Sequence, residues 1–259
     1  MSQILLIVLM SMQLPGLAVD KVDVLLPHAR HDPPRYFSNQ KNTIYAGIVF
    51  DLLHRTFDAS LLTLTYIPYE RAIVEMQQKT DFDCIAPSPA VFKNQPGYFE
   101  SKESVSSYHN QIITLASSNI ALSAMDDIFR YKVLAFPGAS KYLGDSFTTR
   151  AAAAPYYQEL EHVLKAIPML FLKRIEVLIL DRHGFEYHAH LLGYDYKTGA
   201  NKVQYHDFFP PIHLTITCRD PRLIARFDKV KRQLLSSGQW QTLISNNTQR
   251  MYRELPSSD

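Results

Sequence analysis

LLTLTYIPYERAIVEMQQKTDFDCIAP, Leu61 to Pro87, reads as strand, helix, strand. Its first segment is dense in Leu, Thr and Tyr, which suit a pleated surface; ERAIVEMQQ carries Glu70 in a first helical turn; FDCIAP is a short apolar run halted by proline. Toward the N-terminus, KVDVLLP (Lys21 to Pro27) reads as another short buried strand. GIVFDLLHRTF follows as a helix whose stripe of Ile48, Phe50, Leu52, Leu53 and Phe57 is closed by Asp58-Ala59-Ser60. Strand, helix, strand, helix, strand is the pattern of a parallel sheet with crossover helices, so the fold class is α/β.

Beyond Pro87 the pattern shifts. YHNQIITLASS (Tyr108 to Ser118) reads as a longer strand that does not return at once through a helix, as a segment passing into another lobe would behave. YKVLAFPGAS then gives a strand and a Gly-bearing turn, AAAAPYYQELEHVLKAI a helix with Pro155 near its start, and RIEVLILD another strand, which together predict a second α/β unit. HLTITC reads as a strand. DPRLIARFDKVKRQLLSSG is an amphipathic helix opened by Asp220-Pro221 and closed by Gly238, and QWQTLISNN is a shorter helix.

The chain has 259 residues, 46% hydrophobic and 20% charged, enough to bury a sizeable core. Lys and Arg number 27 against 25 Asp and Glu, a net charge of +2, and they are scattered, which excludes a nucleic-acid partner. MSQILLIVLMSMQLPGLA carries an apolar run from Ile4 to Leu9, a Pro15-Gly16 break and the small pair Gly16 and Ala18, and predicts a signal peptide over 1–18. The mature chain is then soluble and exported. Cys84 and Cys218 are either two buried thiols or, in an oxidising compartment, a disulfide.

The order of motifs resembles the periplasmic solute-binding proteins of bacterial amino-acid uptake systems, the extracellular family 3 with a type II periplasmic-binding fold. Asp32-Pro33-Pro34-Arg35-Tyr36 is similar to that family's Y-P-P-F-like loop, and Gly47 through Leu53 to its G-F-D-V-D-L-L. Pro68-Tyr69-Glu70-Arg71-Ala72 and Thr80-Asp81-Phe82-Asp83 stand where it has P-W-x-R-A and G-x-x-D. Val133 through Ser140 is similar to its V-G-V-x-x-G-T-T, Glu176 through Asp181 to its D-A-V-I-G-D, and Asp220-Pro221 through Gly238, with Trp240 after it, to its closing helix. The resemblance implies two lobes, 19–111 with 212–259 and 112–211, each a mostly parallel sheet flanked by helices. Two hinge strands would join them around an interlobe cleft. It further implies a periplasmic monomer without catalytic residues, metal or other cofactor. Such a protein would capture a small polar ligand, an amino acid or related compound, and deliver it to an ABC-transporter permease. A returning strand HLTITC beside FDCIAP would bring Cys84 and Cys218 together as a disulfide.

Amino-acid binders of that family use an Arg in an S-x-T-x-x-R loop for the carboxylate, the G-T-T turn for further contacts and an Asp for the ammonium. Carried over, Gly138 and Ser140 lie on the turn, and Asp181 faces the cleft, caps the helix RHGFEYHAH, or does both. After Ser88 the family's Thr and Arg are missing and the loop is shorter, so Lys93 is the nearby cation; it is a point charge without the planar fork of an arginine. Arg35 and Arg71 are the other candidates, with Tyr36 and Tyr69 as aromatic walls; the alternative for Arg71 is a surface pair with Glu70 or Glu75. His183, Glu186 and His190 share a helical face, which reads as a solvated surface rather than a metal site, and His188 points elsewhere. Two rival readings remain: an enzyme similar to exported cyclohexadienyl dehydratases, with Glu186 or Asp181 as general acid, and a ligand-sensing subunit docking on a membrane receptor.

Overall fold

Successive side chains of a strand point to opposite faces, and Val22–Pro27 buries apolar side chains on both. Val24 and Leu26 pack with Leu52, Leu53 and Phe57, on and just past the helix Ile48–Thr56, and with Phe227 of the helix Pro221–Ser236. Leu25 packs on the other side with Ala72 and Met76 of the helix Tyr69–Gln78. A strand covered on both faces belongs inside a parallel sheet, and Val22–Pro27 pairs in parallel with Leu62–Ile67 and with Cys84–Ile85. Thr217–Cys218 then adds antiparallel to Cys84–Ile85, and Phe99–Glu100 completes five strands. This computed structural model describes residues 21–27, 32–39, 43–160 and 163–254; the leader expected over 1–18 lies outside the described residues.

The second sheet repeats the logic. Val177 and Ile179 face Val133, Ala135 and Phe147, while Leu178 and Leu180 face Ile113, Leu170 and Phe185 on the opposite side. Its strands run in the order Tyr157–Glu159, Val133–Ala135, Val177–Asp181, Asn110–Leu115, Val203–His206, the first three parallel and the last two antiparallel additions. Between the sheets the chain crosses twice, through Ser106–Tyr108 and Ile212–Leu214. These two strands pair antiparallel, with Tyr108 opposite Ile212 and Ser106 opposite Leu214. Each lobe of the two-lobed α/β fold therefore has its own sheet and its own core.

Two sequence expectations are corrected in detail. The helix expected over AAAAPYYQELEHVLKAI is broken: one helix, Asp145–Ala153, ends before Pro155, Tyr157–Glu159 is an edge strand, and a new helix spans Val163–Phe171. Proline disfavours helical backbone in the residue before it, and Ala154 is extended at φ −87, ψ 117. HLTITC divides in two, Ile212–Leu214 serving the crossing and Thr217–Cys218 the first sheet.

Cys84 and Cys218 sit directly opposite in the antiparallel pair and are joined by a disulfide that closes a separation of 134 residues. In the same lobe, Lys231 of the helix Pro221–Ser236 buries its ammonium without a hydrogen-bond partner, 2.9 Å from the centroid of the Trp240 ring. Burial pushes this group down to about 7, against the pull of Glu103.

Both features make predictions. Replacing the two cysteines with alanine should lower stability in urea by about 4–5 kcal/mol in the chain-entropy account, and a loss within the noise of the urea midpoint would contradict it. For Lys231, the unfolded chain keeps its proton up to the ordinary lysine value while the folded chain sheds it near 7, so stability should rise with pH across that window. Lys231→Met should remove that rise and stabilise the neutral-pH protein, on the order of 1–4 kcal/mol.

Candidate functional site

The loop Asp32 to Tyr36 is fixed by its own backbone. The Asp32 carbonyl accepts the amides of Arg35 at 2.9 Å and Tyr36 at 3.0 Å, and the carbonyls of Pro34 and Arg35 accept those of Ile48 at 3.0 Å and Val49 at 3.3 Å. The loop thus takes up donors that the first turn of the helix Ile48–Thr56 leaves unpaired. Only glycine permits this approach: Gly47 has φ 126, and a Cβ there would lie 2.2 Å from the Arg35 carbonyl oxygen.

So held, Arg35 points inward and is 2% exposed. Its Nε and Nη2 donate to the two Asp32 oxygens at 2.8 and 3.1 Å, Nη2 also reaches Asp181 at 3.0 Å, and Nη1 meets the Ser107 carbonyl at 3.4 Å. The guanidinium lies 4.0 Å from the centroid of the Tyr108 ring, whose hydroxyl donates to Asp32 at 3.2 Å. Asp181 comes from the other lobe. It ends the strand Val177–Asp181, accepts the amide of Gly184 at 3.0 Å as N-cap of the helix Arg182–Leu191, and takes the His109 amide at 2.9 Å.

The charges of this cluster follow. Burial alone would lower the Arg35 value, but Asp32 and Asp181 outweigh it and raise it well above the ordinary arginine value. Burial alone would raise Asp181, yet the Arg35 charge and the amides of Gly184 and His109 hold it below the usual carboxylate range. Burial pushes the Tyr108 hydroxyl up, with Asp32 adding to it, and does the same to Tyr36, whose hydroxyl is buried without a hydrogen-bond partner.

Above the cluster lies a cleft of about 720 Å³. Its lining includes Pro27, Pro87 and Ser88 beyond the carboxyl ends of strands in the first sheet, and Phe136, Pro137 and Asp181 at those of the second. Ligands of open α/β sheets bind at such ends.

Of the residues singled out from the sequence, Arg35, Tyr36, Tyr69, Ser88, Lys93 and Asp181 line this cleft. Ser88 shares a hydrogen bond with the Thr217 hydroxyl at 2.6 Å, and Lys93 stands exposed. Arg71 is not among the cleft lining, and its exposed guanidinium meets Glu75 at 3.4 Å, the surface pair one turn along the helix. Gly138 and Ser140 are not among the cleft lining either. Their amides donate to the two oxygens of Glu159 at 2.7 and 2.8 Å, so the turn is filled from within the chain. Glu186 is engaged by Arg182 at 2.9 Å, Tyr205 at 3.2 Å and the Tyr252 hydroxyl, and among the described residues no group of three or more His, Cys, Asp and Glu is placed to hold a metal.

Asp32, Tyr108, Asn110, Phe136 and Tyr142 also line the cleft and were not anticipated. Asp32 could have been found as the polar residue opening a Pro-Pro turn. Glu159 was hidden because the edge strand carrying it read as helix.

No family model and no curated protein sequence matches the chain. Among solved structures, it is similar to an ancestral arginine-binding protein bound to arginine, at 15% identity over 87% of this chain and 97% of that one, with a TM-score of 0.60. An amino acid ABC transporter substrate-binding protein, AbpA, from Streptococcus pneumoniae bound to L-arginine shows 14% identity, 89% and 95% coverage and a TM-score of 0.59. An ancestral amino acid-binding protein described as a precursor of cyclohexadienyl dehydratase shows 16% identity, 87% and 94% coverage and a TM-score of 0.58. At these identities the likeness shows the fold, which is the two-lobed periplasmic-binding fold.

Removing one partner of a buried, hydrogen-bonded charge cluster leaves the others uncompensated. Arg35→Met should therefore cost about 3–5 kcal/mol in urea unfolding, whereas Arg71→Met, at an exposed pair, should cost under about 1 kcal/mol. Equal effects of the two substitutions would show that the Arg35 cluster is not buried as described.

Proposed function

We propose that the chain is an exported solute-binding protein that captures a small polar molecule, an amino acid or related compound, by closure of its two lobes. The observation that carries this is the cleft: about 720 Å³, set between the carboxyl ends of two sheets that, among the described residues, two side-by-side strands connect. Pockets of this size accommodate a small ligand, and paired crossing strands form a hinge that can rotate without disturbing either core. In this reading the lobes are 19–111 with 212–259 and 112–211, and the pairing of Ser106–Tyr108 with Ile212–Leu214 supports a hinge near both boundaries.

Polar groups outside the Arg35 cluster are placed to meet a ligand: the Tyr36 hydroxyl, buried without a partner, Asn110 on the second-lobe side, and Lys93. Tyr69, Phe136 and Tyr142 supply aromatic walls that suit an apolar or ring-bearing body.

The dehydratase-like reading loses its two candidate acids. Asp181 is held ionised by Arg35, and Glu186 is not among the cleft lining and is engaged by three neighbours. The leader expected over 1–18 supports the periplasmic reading. No helix among the described residues is long and apolar enough to cross a membrane. The partner is an ABC-transporter permease or a membrane receptor that reads the closed form, and the binding unit is a monomer.

A thermal-shift screen of amino acids, polyamines and small carboxylates tests the reading. A ligand present at 100 times its dissociation constant should stabilise the protein by about 2.7 kcal/mol, and small-angle scattering should show a more compact form. If no compound stabilises the protein while prephenate or arogenate is consumed, the enzyme reading replaces this one.

A further inference from the structure

Around the Arg35 guanidinium the protein has assembled a complete cation site. Two carboxylates, a backbone carbonyl and an aromatic face converge on it: Asp32 at 2.8 and 3.1 Å, Asp181 at 3.0 Å, the Ser107 carbonyl at 3.4 Å and the Tyr108 ring at 4.0 Å. These are the groups that would recognise a free guanidinium or ammonium ligand. They come from three separate places: the loop at 32, the crossing strand at 107 and 108, and the end of a second-lobe strand at 181. The occupant, in contrast, is a single side chain entering from the loop. It is 2% exposed and lies at the edge of the open cleft, whose lining includes Arg35, Asp32, Tyr108 and Asp181 together.

We propose that Arg35 is a resident cation that sets the specificity of the cleft, filling the position at which Asp32, Asp181 and Tyr108 would otherwise take the positively charged group of a ligand. The cleft as it stands therefore rejects an ammonium or guanidinium at Asp181. Ligand charge is left to groups outside the cluster, Lys93 and Glu100 among the lining. The same holds for negative charge at the second-lobe turn, where Glu159 already takes the amides of Gly138 and Ser140. A ligand that resembles an amino acid must then be gripped in an orientation other than one with its ammonium on Asp181. This inference rests on the cleft being the binding site, but its test requires no knowledge of the natural ligand.

The test is chemical complementation of the full chain. Arg35→Ala empties the site, and methylguanidinium at millimolar, non-denaturing concentration should raise the melting temperature of that variant along a saturable curve. Wild-type protein should show no saturable rise, sodium chloride at equal ionic strength should not reproduce it, and Arg35→Ala combined with Asp181→Asn should lose it. L-Arginine should bind Arg35→Ala roughly ten- to hundredfold more tightly than wild type, the span expected for one or two hydrogen bonds between charged groups. If Arg35→Ala is too unstable to handle, Arg35→Gln is titrated in the same way. A linear or salt-like response in both variants, or an equal response in wild type, overturns the proposal. If the variants respond but no solute in the wider screen binds wild type, the built cation site stands and the solute-binding reading falls.

Discussion

A guanidinium buried between two lobes is the constraint around which this molecule is arranged. Withdrawing such an ion from water costs several kcal/mol unless its donors and its charge are met, and here two carboxylates, a carbonyl and a ring meet them. The requirement spreads outward. Asp32 can face the guanidinium only because the turn at Pro33 and Pro34 brings it back over Arg35, and the turn lies there only because Gly47 lets the chain pass. Asp181 reaches the cluster from the other lobe while capping a helix and taking the amide of His109, which follows the crossing strand Ser106–Tyr108. One ionic cluster therefore fixes a loop, a helix start, a hinge and the end of a second-lobe strand.

Closure must be compatible with that cluster, and with a second bridge between the lobes. Phe37, Ala46 and Met251 from the first lobe enclose Tyr187 of the helix Arg182–Leu191, and Tyr252 reaches Glu186 on the same helix. Packed interfaces of this kind are bistable rather than continuously deformable. Closure in the proposed function would then fall on the side away from these contacts, where Tyr69 and Lys93 belong to one lobe and Phe136 and Tyr142 to the other. Tyr142 lines that side of the cleft and is 60% exposed.

How much of this was legible in the sequence depended on whether a signal was local. The first sheet was readable because period-two and helical patterns lie within single segments: Val22–Pro27, Ile48–Thr56, Leu62–Ile67 and Tyr69–Gln78 all fall where the alternation and stripes put them. The edge strand Tyr157–Glu159 was not, because four alanines and a proline read as a helix start when proline in fact separates one helix from a strand. That single misreading concealed Glu159 and so left the amides of Gly138 and Ser140 looking available. Arg71 looked like a cleft residue by motif, but no local pattern distinguishes a helix face turned to the cleft from one turned to solvent. The Arg35 to Asp181 contact spans 146 residues, a separation at which one sequence carries no pairing signal.

The cluster also bears on why an ion pair stands where packing could have served. A well-packed apolar group would hold two lobes together as firmly as a buried salt bridge, and often more so. What it would not do is occupy a set of carboxylates that the hinge and the helix cap already require. Asp181 is wanted as a cap whatever the ligand, and Tyr108 donates its hydroxyl to Asp32 beside the crossing strand. Once those groups converge, the position attracts positive charge, and a cleft open to small solutes would draw amines into it. A tethered guanidinium satisfies the same carboxylates without competing in solution. Arg35 is thus at once the strut that fixes the lobes at their hinge and the reason the cleft's own electrostatics need not dictate its ligand.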